Sequence, residues 1–188
     1  MSRKETTTKR RMRKLIDKDT EVVIANNGYS EFVFEGKSGD LSLDMPNHGD
    51  EEYVTYADLR KLKMFLKNFQ LLIVAVNDEE TTLIDVIKGI RLEKEYSEYF
   101  DLVLGMDFDE EIDGLDANQL EDAILDSSVD EFKEMLNSSM SRQVIITSVQ
   151  LYKEGDLNDY DKMSLIEKTR PEKDRENFWN DIKASLDE

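Results

Sequence analysis

The 188-residue chain contains no cysteine, which excludes disulfides, thiol nucleophiles and cysteine-ligated zinc or iron–sulfur centres. Its only histidine, His48, lies in a Pro- and Gly-containing turn where we expect it to be exposed to solvent. Two prolines and 8 glycines are too few for a low-complexity linker protein. The longest apolar run, Leu71–Val76, has the length of a strand, so we expect neither a membrane span nor a signal peptide.

Charge is distributed very unevenly along the chain. Its 43 acidic and 25 basic residues give a net charge of −18. Residues 1–18 hold eight basic and two acidic side chains, a net of +6, so the other 170 residues carry −24. Residues 101–132 hold twelve acids and no lysine or arginine. This asymmetry indicates a basic tail on an acidic body.

The basic tail, residues 1–18, has no apolar periodicity and is therefore predicted to be a disordered arm. Fully extended, eighteen residues reach about 60 Å, enough to lie across a neighbouring subunit or to touch a nucleic-acid backbone. A solvated tail that aids solubility is the alternative. The side chains of the arm that we predict to bind a partner are Arg3, Lys4, Lys9, Arg10, Arg11, Arg13 and Lys14.

Strand patterns follow the arm. Residues 21–25 and 30–34 flank Asn26-Asn27-Gly28-Tyr29, and Asn-Gly is a strong hairpin signal. Residues 41–45 and 52–54 continue the pattern, a helix follows from Thr55 with Leu and Phe at helical spacing, and 70–76 read as one more strand. The pattern predicts a small antiparallel β meander, packed on a helix, over residues 19–100.

Residues 101–115 contain two glycines and a run of acids, and we interpret them as an acidic linker. Residues 116–188 then carry helical periodicity throughout, which predicts a C-terminal helical bundle and an α+β fold class. Capping signals mark three helix starts, at Thr55 with Asp58, at Thr81 or Thr82, and at Ser128 with Glu131. Pro171 suits the first turn of the last helix.

That last helix carries the only tryptophan, Trp179, on an apolar stripe with Phe178, Ile182 and Leu186. Such a stripe is typical of a helix face that packs against the other helices of a bundle. Large aromatic residues are also the usual anchors of protein interfaces. Trp179 is therefore included among the candidate partner-binding residues, and both interpretations are kept.

Three catalytic or metal-binding patterns are rejected, two of them on a key residue and one on the charge of the body. Gly36-Lys37-Ser38 resembles the end of a Walker A loop, but Glu31 stands where its first glycine is needed to wrap phosphate. Residues 109–114 resemble the start of an EF-hand, but Leu120 replaces the bidentate glutamate. Glu35-Gly36-Lys37 matches a nuclease pattern, which the acidic body opposes. We expect no enzymatic activity, no cofactor and no resident metal.

In the predicted order of elements, a hairpin is followed by Glu52-Tyr53-Val54-Thr55-Tyr56-Ala57-Asp58-Leu59-Arg60-Lys61-Leu62, then by Leu71-Leu72-Ile73-Val74, and then by helices. This order resembles that of accessory virion proteins of large tailed bacteriophages. The stretch from Gln150 to Met163 adds to the resemblance, which spans about residues 20–168. It implies a structural role in a capsid, neck or tail, and a location in the virion. Without it, a cytoplasmic location is expected.

Two functions follow as hypotheses. The first is a non-enzymatic structural and assembly protein that acts through protein–protein contacts in a homo- or hetero-oligomer. Its basic arm docks on other subunits or touches a nucleic-acid backbone, with no membrane partner. The alternative is an acidic nucleic-acid mimic or inhibitor, in which the carboxylates of residues 101–132 occupy the cationic groove of a host DNA- or RNA-binding protein.

Overall fold

A computed structural model describes residues 14–110, 112–175 and 177–186 of the chain. The fold is of the α+β class, as predicted, with the helices concentrated in the C-terminal half. The strands in the described residues are β1 (Glu21–Asn26), β2 (Phe32–Glu35), β3 (Ser42–Met45), β4 (Glu51–Thr55) and β5 (Leu71–Val76).

Strand β1 is the centre of a three-stranded antiparallel sheet in the order β4-β1-β5. Val23 pairs with Tyr53 on one side and with Ala75 on the other. The continuous apolar run of β1 fits this central position, because a strand covered on both faces needs no polar alternation. β5, at the edge of the sheet, has a similar run, whose first four residues are buried. Val22 and Ile24 are fully buried.

The predicted hairpin between β1 and β2 is wrong, and with it the continuous meander. β2 pairs only with β3, in a separate two-stranded sheet with Phe32 opposite Met45. The reason lies in two buried amides at the predicted turn. The Asn26 amide donates to the carbonyls of Ser30, Met45 and Asn47, and the Asn27 amide donates to the Phe69 carbonyl at 2.9 Å. These side chains form hydrogen bonds to distant loops, and the segment does not form a two-residue turn.

Eight α-helices lie in the described residues. They are α1 (Leu59–Lys67), α2 (Leu83–Ile90), α3 (Glu93–Tyr99), α4 (Gln119–Asp126), α5 (Val129–Leu136), α6 (Ser141–Glu154), α7 (Tyr160–Thr169) and α8 (Phe178–Ala184). Capping boxes start α2 at Thr82 and α5 at Ser128, which confirms these two predicted helix starts. The predicted start at Thr55 is wrong, because Thr55 ends β4 and α1 begins only at Leu59, after the N-cap Asp58. Helix α6 ends at Gly155, whose φ of 90° is the left-handed conformation that glycine adopts without strain.

The predicted role of Pro171 in the last helix is wrong. Pro171 precedes a short 3₁₀ turn, Glu172–Asp174, and α8 begins only at Phe178. The Arg175 side chain donates to the carbonyls of Arg170 and Lys168 at the end of α7. These bonds cap α7 and turn the chain before a new helix begins.

The predicted linker, residues 101–115, is part of the folded body in two places. Helix α3 continues into a π-helical turn, Phe100–Leu104. Farther on, the Leu115 N–H donates to the Val74 carbonyl at 2.8 Å, and the Leu115 side chain is buried. The buried apolar side chains of both halves form one continuous cluster, in which Tyr96, Tyr99 and Phe69 stack as an aromatic group.

Candidate interaction surfaces

Of the predicted arm cations, Lys14 is placed by the structure, whereas Arg3, Lys4, Lys9, Arg10, Arg11 and Arg13 lie outside the described residues. The Lys14 ammonium donates to the Glu80 carbonyl and lies 3.1 Å from an Asp85 carboxylate oxygen. Two residues later, Ile16 is buried in the core. The Ala57 N–H donates to the Lys18 carbonyl at 3.0 Å. Residues 16–18 therefore belong to the folded body and not to the predicted disordered arm.

Lys14 lies beside a surface that is rich in carboxylates along α2. Asp85 and Lys88 are three residues apart and so share one side of the helix. Lys88 forms an ion pair with Asp109 at 2.6 Å, which brings the 107–110 loop to this side. We call the resulting set the α2 acidic surface; its members are Asp78, Glu79, Glu80, Asp85, Asp107, Asp109 and Glu110.

Hydrogen bonds keep carboxylates of the α2 acidic surface ionised. The Thr81 hydroxyl donates to Asp78 at 2.6 Å, and this bond lowers the pKa of the Asp78 carboxyl. For Asp85, partial burial acts to raise the pKa, but bonds from the Thr82 N–H and from Lys14 outweigh it and lower the pKa overall. The surface is therefore negatively charged at neutral pH.

Ten of the twelve acids between 101 and 132 are exposed in the structure; Glu111 lies outside the described residues. The remaining one, Glu121, accepts a hydrogen bond from the Tyr29 hydroxyl at 2.5 Å. The His48 ring stacks on Tyr29 with ring centroids 4.4 Å apart, and its Nε2 lies 3.5 Å from the same carboxylate.

The expectation of an exposed His48 is therefore wrong, since its side chain is only 16% exposed and both ring nitrogens are buried. Burial and the bond to Glu121 raise the pKa of the Tyr29 hydroxyl. This cluster joins two N-terminal loops to α4. Sequence reasoning missed it because its members are far apart along the chain, with no local pattern to connect them.

Trp179 is only 6% exposed. Its indole N–H donates to the Met163 carbonyl at 3.2 Å, and its ring lies 4.7 Å from the Tyr152 ring. The indole thus projects from α8 and packs against α7 and α6, which agrees with a role in the core of the helical bundle. Two neighbours of Trp179 on α8, Phe178 and Ile182, face an open groove instead.

The groove, which we call the α6–α8 groove, has a volume of about 430 Å³ and is closed on one side by Tyr29 and Ser30. Among the described residues, the charged ones that line it are the cations Lys153 and Arg170. The Arg170 guanidinium lies 4.6 Å from the centre of the Phe178 ring, and its Nε is buried without a hydrogen bond. The apolar side chains that line the groove are Ile145, Ile146, Val149, Phe178 and Ile182.

Within the described ranges, no three histidine or carboxylate side chains are grouped so that they could hold a metal ion. In the same part of the chain, every helix is too short or too polar to cross a bilayer. The Gly36-Lys37-Ser38 turn joins β2 to β3, so no helix follows it as a Walker A loop requires.

The protein thus has two candidate interaction surfaces: a carboxylate-rich surface beside Lys14, and an apolar groove lined with cations. Both are suited to binding a partner of complementary charge and shape. Comparisons with protein-family models, with curated proteins and with solved structures find no match to this chain.

Proposed function

We propose that the protein is a non-enzymatic assembly protein, a virion component of the capsid, neck or tail, whose N-terminal arm docks on the acidic surface of a neighbouring subunit. The observation that carries this proposal is the separation of charge: a net of +6 on residues 1–18 and −24 on the rest. Copies of such a chain are electrostatically complementary to one another.

The position of Lys14 supports this mode of binding. It is the first described residue, and its ammonium already contacts Asp85 on the α2 acidic surface. The contact is an example of an arm cation meeting this surface. The thirteen residues before it reach about 45 Å when extended, which is long enough to span a subunit boundary. We therefore place the arm of one copy on the α2 acidic surface of the next.

The expected energetics are those of many weak, exposed ion pairs. Each pair contributes about 0–1 kcal/mol, so docking depends on several arm cations acting together. The Debye length falls from about 10 Å at 0.1 M salt to about 3 Å at 1 M. Assembly through the arm should therefore weaken steeply as salt is added.

Two complementary variants test this proposal. One lacks residues 1–13, which carry six arginine and lysine side chains of the arm. The other keeps the arm and replaces four exposed carboxylates of the α2 acidic surface: Asp78→Asn, Glu79→Gln, Glu80→Gln and Glu110→Gln. At about 50 mM salt, each variant alone should have a lower mass by light scattering than the parent chain, and their mixture should regain mass. Neither the arm-less nor the neutralised chain can pair with itself through the arm, because one lacks the arm and the other lacks four of the seven carboxylates of the α2 acidic surface.

A matched control makes the same change in net charge elsewhere. Glu31→Gln, Glu35→Gln, Asp44→Asn and Glu51→Gln are exposed positions on and around β2–β4, and this variant should assemble like the parent chain. Unchanged assembly after removal of residues 1–13 contradicts the proposal. Loss of pairing in the mixture, with the parent still assembled, means that the arm binds its own body instead.

A further inference from the structure

Tyr160, the first residue of α7, is 79% exposed. Three exposed aspartates surround it in the sequence: Asp156, Asp159 and Asp161. The loop that presents it is held in place, because Leu157 is buried and the Asp159 carboxylate accepts the N–H groups of Asp161 and Lys162. We call residues 156–161 the Tyr160 knob: an aromatic ring within a fixed, negatively charged setting.

The α6–α8 groove has the opposite character. In a chain with 43 acids and 25 bases, the part of its lining that the structure describes contains two cations and no carboxylate. Neither Lys153 nor Arg170 forms an ion pair with any carboxylate of the described residues. Its apolar side chains leave Ile146 partly in solvent. An apolar surface with unpaired cations suits a ligand that is apolar and negatively charged.

We infer that the α6–α8 groove of one copy binds the Tyr160 knob of a second copy. The basic arm is excluded as the occupant, since its charge has the same sign as that of the groove. Tyrosine is enriched at the energetic centres of protein interfaces, and the three aspartates are complementary to Lys153 and Arg170. This contact goes beyond the docking of the arm and uses none of its residues.

The position of the two surfaces allows the contact to form twice in a symmetric pair. Lys153 lies in the last turn of α6, and the Tyr160 knob begins directly after Gly155, which ends that helix. The groove therefore runs along α6 and reaches, at Lys153, the end of the helix where the knob begins. A two-fold axis beside this end places each knob opposite the groove of the other copy, as an isologous interface requires.

Tyr160→Ala in the full chain tests the knob, with association measured by sedimentation velocity over a range of concentrations. Removing an exposed side chain leaves the core intact, and we expect the dimer dissociation constant to rise at least about tenfold. Tyr53→Ala is the matched control, because Tyr53 is a 63% exposed tyrosine on β4, remote from the groove lining. It should change the constant by less than about twofold.

Ile146→Glu tests the groove by placing an anion among its apolar side chains, and Met64→Glu on α1 is its control, an exposed apolar residue outside the groove. Ile146→Glu should weaken association as Tyr160→Ala does, and Met64→Glu should not. A mixture of Tyr160→Ala with Ile146→Glu regains one knob-in-groove contact and should form a hetero-pair. Far-UV circular dichroism verifies that each variant is folded.

The outcomes separate this inference from the proposed function. Association that needs residues 1–13 but is unaffected by Tyr160→Ala and Ile146→Glu overturns the knob-in-groove contact and leaves the arm contact standing. Association that survives removal of residues 1–13 but is lost in Tyr160→Ala overturns the arm contact and leaves the knob-in-groove contact standing. A parent chain that stays monomeric at every concentration and salt overturns both.

Discussion

At the scale of single residues, Trp179 shows how one side chain can serve two interpretations until its surroundings are known. The indole is buried against Tyr152, and its N–H is satisfied by the Met163 carbonyl. Trp179→Ala should therefore lower the free energy of unfolding by about 3 kcal/mol, the lower end of the range for replacing a large aromatic core residue with alanine. Urea denaturation at neutral pH measures this loss.

Phe178→Ala is the internal comparison for that variant. Phe178 precedes Trp179 on α8, but it is only partly buried and lines the open groove. Replacing Phe178 with alanine should lower the free energy of unfolding clearly less than replacing Trp179 does. A loss under about 1 kcal/mol for Trp179→Ala would contradict its place in the core and would restore the indole as a candidate docking anchor.

At the scale of elements, the start of α5 depends on a reciprocal pair of hydrogen bonds. The Ser128 hydroxyl accepts the Glu131 N–H, and the Glu131 carboxylate accepts the Ser128 N–H at 2.7 Å. Ser128→Ala should cost about 1 kcal/mol of stability at pH 7, as is usual for the loss of an N-cap side chain. Ser164→Ala within α7 is the control and should change stability by a few tenths of a kcal/mol.

The same pair gives α5 a pH dependence whose sign follows from the lowered pKa. Hydrogen bonds from Ser128 hold the pKa of the Glu131 carboxyl below its usual value. Its stabilising contribution is therefore present above the unfolded pKa of about 4.3 and is lost as the pH falls through the folded value. The difference in unfolding free energy between parent and Ser128→Ala should narrow below about pH 4. A difference that stays constant from pH 7 to 3 would contradict this role of Glu131.

At the scale of the whole molecule, the net charge of −18 should make the folded chain more stable as salt is added. Added salt screens the mutual repulsion of the acids. The same screening weakens favourable ion pairs, but the described residues form few of them. We expect calorimetry to show a Tm increase of about 2–4 °C between low salt and about 0.5 M, which corresponds to about 1 kcal/mol at this chain length.

The salt response of stability should thus be opposite in sign to that of arm-mediated assembly. The variant with Glu31, Glu35, Asp44 and Glu51 neutralised should show a smaller increase in Tm, because its repulsion is already lower. A Tm that falls with salt would mean that specific ion pairs such as Lys61 with Asp40 and Asp58 outweigh the net repulsion.

The amino-acid sequence by itself determined the features that depend on local bonds and on composition. The starts of α2 and α5 could be predicted because a capping box lies within four residues. The end of α6 could be predicted because Gly155 favours the left-handed conformation. The α+β class and the separation of a basic arm from an acidic body follow from periodicity and from counting charges.

Only the tertiary structure decided which segments meet. The continuous apolar run of β1 indicates that the strand is buried but not which strands are its neighbours. Hydrogen bonds from the buried amides of Asn26 and Asn27 hold the chain after β1 in a path that forms no hairpin with β2, and β1 pairs with β4 and β5. The α6–α8 groove and the contact of His48 with Tyr29 and Glu121 likewise join distant segments. Such contacts form because the continuous apolar core brings the segments together, and no local pattern in the sequence records them.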